Sequence, residues 1–182
     1  MQIIQTVSEN TIYVGASDRR LAKFENLFPI PRGVSYNAYV ILDEKTALLD
    51  TADASVGAQF LENVAAALDG RKLDYLIVDH MEPDHAAMIE AVLVRWPDLR
   101  LVVNAKTLPM LKMYFPTDSA AIDDALVVKE GDTLDLGKHK LTFVMAPMVH
   151  WPEVMMTFDT TTGTLFSADA FGTFGALEGA LF

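Results

Sequence analysis

The sequence predicts an α/β protein with mixed β-sheets, folded as one domain over residues 1–182. Three observations support this prediction. Short apolar stretches alternate with segments of helical periodicity in the first part of the chain, which is the pattern of βα units. From residue 126 onward, strands are joined by Gly-containing turns, which favours antiparallel hairpins. The 182 residues are 51% hydrophobic, enough for one sizeable core, and no linker or internal repeat divides them.

The first elements are a hairpin, a helix and a buried strand. The stretch VSYNAYVIL, the turn DEK and the stretch TALLD predict the hairpin. In SVGAQFLENVAAALDG, Val56, Phe60, Val64 and Leu68 recur every four residues and Gly70 lies just beyond, which predicts a helix. The continuous apolar run LDYLIV is typical of a buried strand.

Later elements repeat the alternation and then change to hairpins. AAMIEAVLVRW predicts a helix that stops before Pro97, LRLVVN a strand, and TLPMLKMYF a helix with Pro109 in its first turn. LVVKEGDTLDLGKHKLTFVMAP and VMMTFDTTTGTLFSAD predict antiparallel strands. Because FGTFGALEGALF closes on the apolar Leu181 and Phe182, we expect a domain that lacks its C-terminal strands.

Charge and composition exclude several classes of function. With 14 Lys plus Arg against 25 Asp plus Glu, the net charge of −11 disfavours a nucleic-acid partner. The absence of cysteine excludes disulfides, thiolate zinc sites, iron–sulfur clusters and cysteine nucleophiles. Any metal must therefore be held by nitrogen and oxygen. The N-terminus lacks the signal-peptide pattern and no apolar run of membrane-spanning length follows, so we expect a cytoplasmic protein without a membrane partner.

The stretch YLIVDHMEPDHAAMIEAV concentrates chemically active side chains between a buried strand and a helix. His80, Glu82, Asp84 and His85 occupy six positions in the spacing HxExDH. Taken singly, Asp84 could be a helix cap and His80 a satisfied, partly buried histidine. Taken together, two imidazoles and two carboxylates on one loop indicate metal binding, and two metals suit this set better than one.

Two further ligand candidates follow later strands. His150 comes after KLTFVMAP, and Asp169 comes after TLFS, where a lone carboxylate could bridge two cations. The alternatives are an ordinary loop histidine and a turn aspartate. Three carboxylates against three histidines make iron at least as plausible as zinc. The fourth histidine, His139 in LGKHKL, is expected to be exposed and inert.

These motifs resemble the flavodiiron proteins, members of the metallo-β-lactamase superfamily whose usual motif is HxHxDH. The resemblance rests on HxExDH, on FENLFPIPRGVSYNAYVILDEKTALLDT upstream, and on HWPEVM and LFSADAFG around His150 and Asp169. It implies a four-layer αββα sandwich with a non-haem di-iron site that reduces dioxygen to water, nitric oxide to nitrous oxide, or both.

The resemblance also implies roles for individual residues and for partners. His80, Glu82 and His150 would hold one iron, Asp84 and His85 would serve the second, and Asp169 would bridge the two. Electrons would come from FMN on a C-terminal flavodoxin-like domain or from a rubredoxin-type donor, and a head-to-tail homodimer would bring one chain's FMN to the other chain's irons.

This sequence departs from the family pattern in several places. No histidine follows Asp169, so the second metal position is expected to be incomplete. Residues 1–182 contain no flavodoxin-like domain, so they are expected to form a partial di-iron domain that binds no FMN and is inactive alone. Thr173 and Phe174 stand where many members have a histidine, and Glu153 and Val154 stand where Asp-Ser is commoner. The last difference bears on the hydrogen bonds that orient the ligands.

Two other functions remain open from the residues. A zinc-dependent hydrolase on the same fold would use a metal-bound hydroxide, although Glu82 makes the site less suited to zinc. The chain could also be a non-catalytic fragment that binds at most one metal.

Overall fold

The computed structural model describes residues 4–116 and 119–179, which form two packed β-sheets with helices on one side. The strands are β1 (Gln5–Ser8), β2 (Thr11–Tyr13), β3 (Ala16–Asp18), β4 (Lys23–Phe24), β5 (Phe28–Pro29), β6 (Val34–Tyr36), β7 (Tyr39–Leu42), β8 (Thr46–Leu49), β9 (Tyr75–Ile77), β10 (Arg100–Asn104), β11 (Leu126–Val128), β12 (Thr133–Asp135), β13 (Lys140–Met145), β14 (Met155–Asp159) and β15 (Thr164–Phe166). The helices are α1 (Gly57–Leu68), α2 (Pro83–Ala86), α3 (Ile89–Arg95), α4 (Thr107–Tyr114) and α5 (Ser119–Asp123), and a short 3-10 helix covers Ala54–Val56.

The larger sheet has seven strands in the order β1-β2-β7-β8-β9-β10-β11. Strands β8 to β11 are parallel, because a helical crossover separates each from the next, whereas β1, β2 and β7 join by antiparallel pairing. All four residues of β8 are buried, as expected for a strand that is covered on both faces. The carboxyl ends of β8, β9 and β10 therefore meet at one edge of this sheet.

The second sheet is antiparallel, in the order β12-β13-β14-β15, and packs on the larger sheet. Phe143 and Met155 point into this interface, where they meet Ile41 and Ile77. The opposite face of the larger sheet is covered by the helices. Because Val144 on the outer face of the second sheet is exposed, the described residues form three layers, in the order helix, sheet, sheet.

The structure confirms most predicted elements and corrects three. The β7–β8 hairpin, helix α1 and the placing of Pro109 in the first turn of α4 agree with prediction. The stretch VSYNAYVIL is two strands, since β6 pairs with β3 and only β7 enters the hairpin. The helix predicted for AAMIEAVLVRW begins later than expected, because α2 lies within the HxExDH motif and ends at Ala86, and α3 starts at Ile89. Strand β11 pairs parallel with β10, because it ends a crossover through α4 and α5. Leu181 and Phe182 lie outside the described residues.

Among the described helices, none combines the length and the apolar character needed to cross a membrane.

Candidate metal centre

The predicted ligands converge at the edge of the larger sheet where the parallel strands end. The HxExDH loop runs from the end of β9 into α2, so the strand behind it and the helix ahead hold it in place. His150 lies on the loop between β13 and β14, and Asp169 follows β15. Open α/β sheets commonly bind ligands beyond the carboxyl ends of their strands. Four ligand candidates thus follow a strand of the larger sheet, and the other two lie on loops of the second sheet.

The first group comprises four side chains whose ligand atoms all lie within 4.8 Å of one another: His80, Glu82, His150 and Asp169. Oε2 of Glu82 is 3.1 Å from Nε2 of His80 and 2.8 Å from Nε2 of His150. Oδ2 of Asp169 is 3.2 Å from the same nitrogen of His150. His80 is fully buried, whereas the His150 side chain is 54% exposed, so the group opens to solvent on the His150 side.

The second group comprises Asp84, His85 and Asp169, again with ligand atoms within 4.8 Å. Nε2 of His85 is 2.8 Å from Oδ1 of Asp169 and 3.6 Å from Oδ2 of Asp84. Asp169 therefore presents one oxygen to each group. The structure brings all six sequence-predicted residues together, in two sets that share one carboxylate. The alternative role for Asp84 is not observed, because no side chain caps the start of α2.

Two further carboxylates orient the buried histidines from behind. Nδ1 of His80 donates to Oε1 of Glu153 at 2.7 Å, and Nδ1 of His85 donates to Oδ2 of Asp50 at 3.0 Å. Each ring therefore turns Nε2 towards the centre. Asp50 is not evident as a site residue from its local sequence, although, as the final residue of TALLD, it follows the strand beside β9 and reaches the same edge. Glu153 is evident from the sequence only as a departure from the family pattern.

Burial and hydrogen bonding perturb several pKa values at the centre. Burial raises the pKa of Asp84 to about 6. Burial lowers the pKa of His80, but hydrogen bonds to Asp169, Glu153 and Glu82 outweigh this effect and raise it to about 11. Burial likewise opposes ionisation of Asp169, but the hydrogen bonds from His80 and His85 hold its pKa below the usual range. Burial, and then repulsion from Asp50, raise the pKa of Asp79 well above its ordinary value.

Two features of these residues fit a pair of iron ions: the types of donor atom that they offer, and one carboxylate oxygen that has no hydrogen-bond partner. Oδ1 of Asp84 is buried without a hydrogen-bond partner in the described part of the chain. Such an oxygen is costly to bury unless a cation or a donor satisfies it. The donor set of three imidazoles and three carboxylates is harder than the usual zinc set and suits iron.

A cavity of about 510 Å³ lies over the centre. Its floor includes Glu82, His85 and Asp169, and its walls include Phe24 and Trp151. Trp151, which directly follows His150, therefore lines the pocket. The aromatic walls suit small, uncharged substrates better than large polar ones.

The expectation for His139 is wrong. The residue is 2% exposed, and its Nδ1 lies 2.8 Å from Oδ2 of the buried Asp159. The turn before β13 folds against the turn after β14, which encloses the ring. His139 precedes β13 and His150 follows it, so the six residues of the strand separate this pair from the metal centre.

A family model supplies the identification. The family described as "ODP family beta lactamase" matches residues 34–181. The chain belongs to this family. Its ODP β-lactamase fold is that of solved flavodiiron proteins. The flavodiiron protein of Giardia intestinalis superposes with a TM-score of 0.90 at 28% identity, covering 98% of this chain and 42% of that one.

Relatives of this ODP-family chain are oxidoreductases. The anaerobic nitric oxide reductase flavorubredoxin of Klebsiella pneumoniae is 37% identical over 168 residues, covering 91% of this chain and 34% of the relative. The rubredoxin oxygen:oxidoreductase of Desulfovibrio gigas superposes with a TM-score of 0.90 at 31% identity, covering 97% of this chain and 43% of that one. The chain thus spans less than half the length of these relatives. The resemblance and the α/β fold with mixed sheets are confirmed, and the described residues form three of the four layers expected for the αββα sandwich.

Proposed function

We propose that residues 1–182 are the di-iron domain of a flavodiiron reductase, which reduces dioxygen to water, nitric oxide to nitrous oxide, or both. The observation that carries the proposal is the pair of ligand groups sharing Asp169 beneath an aromatic-walled cavity. The names of the relatives, an anaerobic nitric oxide reductase and an oxygen:oxidoreductase, support the same reaction class. The chain's share of their length supports its being one part of such an enzyme.

Each residue has a defined task in this proposal. His80, Glu82 and His150 would hold one iron, Asp84 and His85 would hold the second, and Asp169 would offer one oxygen to each. When bound, two ferrous ions supply two electrons and adjacent positions for small substrates. Glu153 and Asp50 keep a proton on Nδ1 of His80 and His85, which leaves each Nε2 free to donate its lone pair.

The second position has three ligand residues where the first has four, so it binds metal more weakly. Residues 1–182 contain no FMN domain, so electrons reach the centre from an FMN-bearing domain or a rubredoxin-type donor. A head-to-tail homodimer in the cytoplasm is the arrangement that we propose for the complete enzyme. The chain alone therefore binds iron and does not turn over without an added donor.

A single-turnover experiment tests this function without a flavin. The anaerobic chain is loaded with Fe²⁺ and mixed with nitric oxide, and nitrous oxide is measured. Conversion of two nitric oxide molecules to one nitrous oxide and one water consumes two protons and two electrons, which two bound ferrous ions would supply, so we expect about one nitrous oxide per loaded chain. Oxidation by dioxygen is followed in the same way.

Asp169→Ala is the decisive variant, because it removes the residue common to both groups. We expect it to lose iron and nitrous oxide formation together, whereas Asp98→Ala, a change at an exposed carboxylate in a turn, leaves both unchanged. Iron and activity retained by Asp169→Ala would contradict the assignment. Uptake of zinc in preference to iron, with hydrolysis of ester or lactam substrates, would instead favour the hydrolase.

A further inference from the structure

Glu153 connects the two loops that carry the first group of ligands. It lies three residues after His150, and its side chain is completely buried. Oε1 accepts a hydrogen bond from Nδ1 of His80 at 2.7 Å and another from the backbone N–H of Met81 at 3.0 Å. Met81 stands between His80 and Glu82, so one carboxylate oxygen fixes both the ring of one ligand and the backbone leading to the next.

The loop that carries Glu153 is itself held by neighbouring structure. The side-chain amide of Asn104, at the end of β10, donates to the carbonyl of Glu153 at 2.6 Å. Nζ of Lys106 donates to the carbonyl of Pro152 at 3.0 Å. The backbone N–H of Ala146 donates to the carbonyl of Val154 at 2.9 Å and closes the base of the loop. The position of Glu153 is thus fixed independently of His80.

The second group has its own support. His85 is oriented by Asp50, which follows β8, and not by Glu153. From this division of contacts we propose that Glu153 is a positioning residue for the first metal position. It holds the proton on Nδ1 of His80 and fixes the positions of the ligands His80, Glu82 and His150 relative to one another. This inference rests on the proposed function, since it assumes that the first group binds metal.

Two variants of nearly equal size separate this role from general packing. Glu153→Gln retains one oxygen, which can accept both N–H groups just as Oε1 does. Glu153→Met keeps the length of the side chain and removes the acceptor. If Glu153 positions the ligands, the glutamine variant should keep most of the metal affinity and the methionine variant should lose it.

The measurement is a Co²⁺ titration of the whole chain, followed by visible absorption and calorimetry. The wild-type protein is expected to show a tighter and a weaker step, and His150→Ala, which removes a ligand found only in the first group, identifies the tighter one. We expect Glu153→Met to weaken the tighter step by about 10- to 100-fold and the weaker step by less than about threefold. Glu153→Gln should stay within about threefold of wild type in both steps.

Each other outcome overturns the inference in a recognisable way. Two unchanged steps in Glu153→Met would show that Glu153 does not position the first group. Equal weakening of both steps, with a lower melting temperature, would assign it a general structural role. A wild-type chain that takes up no Co²⁺ would overturn the proposed function and this inference with it, whereas the first two results leave the proposed function standing.

Discussion

Asp50 lies at the end of β8 with both carboxylate oxygens engaged, which makes Asp50→Asn an informative change. Oδ2 accepts from Nδ1 of His85 at 3.0 Å, and Oδ1 accepts from the backbone N–H of Asp79 at 2.7 Å. Asparagine has only one oxygen. The backbone N–H of Asp79 can only donate, so the amide oxygen must face it and the NH₂ group must face His85. The imidazole then has to accept at Nδ1, and its proton moves to Nε2.

A proton on Nε2 of His85 blocks the atom that points towards Asp169 and the second metal position. Loss of such a carboxylate partner typically lowers metal affinity by about 10- to 100-fold, or about 1.4–2.7 kcal/mol. We therefore expect Asp50→Asn to weaken the weaker Co²⁺ step by this amount, while the tighter step changes by less than about threefold. Titration of wild type and variant under identical anaerobic conditions measures both steps.

Asp159→Asn is the matched control. Asp159 is also a buried aspartate that accepts from Nδ1 of a histidine, His139, at 2.8 Å, but at the other end of β13. The control should lower the free energy of unfolding by about 1–3 kcal/mol and leave both metal steps unchanged. The reasoning is refuted if Asp50→Asn keeps the weaker step within about threefold of wild type, or if Asp159→Asn weakens it equally.

Two further changes test the packing and the charges around the fold. Phe143 is fully buried between the sheets, so Phe143→Ala should lower the free energy of unfolding in urea by about 3–5 kcal/mol, and a loss below about 1 kcal/mol would contradict that packing. Hydrogen bonds from Arg20 lower the pKa of the buried Asp18 to about 2, so this carboxylate stabilises the fold above its unfolded pKa and the contribution fades as pH falls towards about 2. The lowered pKa of Asp18 corresponds to about 1–2 kcal/mol of stability once the exposure of Arg20 is allowed for. Asp18→Asn should therefore have a free energy of unfolding lower by this amount near pH 7, and the difference should shrink towards pH 3. A difference that does not change with pH would contradict the pairing of Asp18 with Arg20.

The six ligand candidates were predictable because their signals are local in sequence. The HxExDH motif sits between a recognisable buried strand and a helix, and His150 and Asp169 each follow a strand. Their convergence required only that strands end at a common edge. The donor set itself favours two metals bridged by Asp169, but which residues belong to each of the two groups is implied only by the family resemblance.

The residues that were missed depend on contacts between distant parts of the chain. Asp50 meets His85 across 35 positions, and Glu153 meets His80 across 73. His139 was expected to be exposed because its neighbours in LGKHKL are polar, but its partner Asp159 lies on another hairpin. Strand β11 is predicted as part of a hairpin because a Gly-containing turn follows it, whereas its partner β10 lies on the other side of α4 and α5 in the sequence. In each case the deciding partner is absent from the local pattern.

Metal content per chain tests the central claim most directly. The chain is expressed with iron, purified without oxygen and analysed by elemental mass spectrometry, with Asp169→Ala alongside. We expect about two iron ions per chain for the wild type, with the ion at the weaker position lost first on dilution, and none for the variant. Zinc in place of iron, or no bound metal in the wild type, would contradict it.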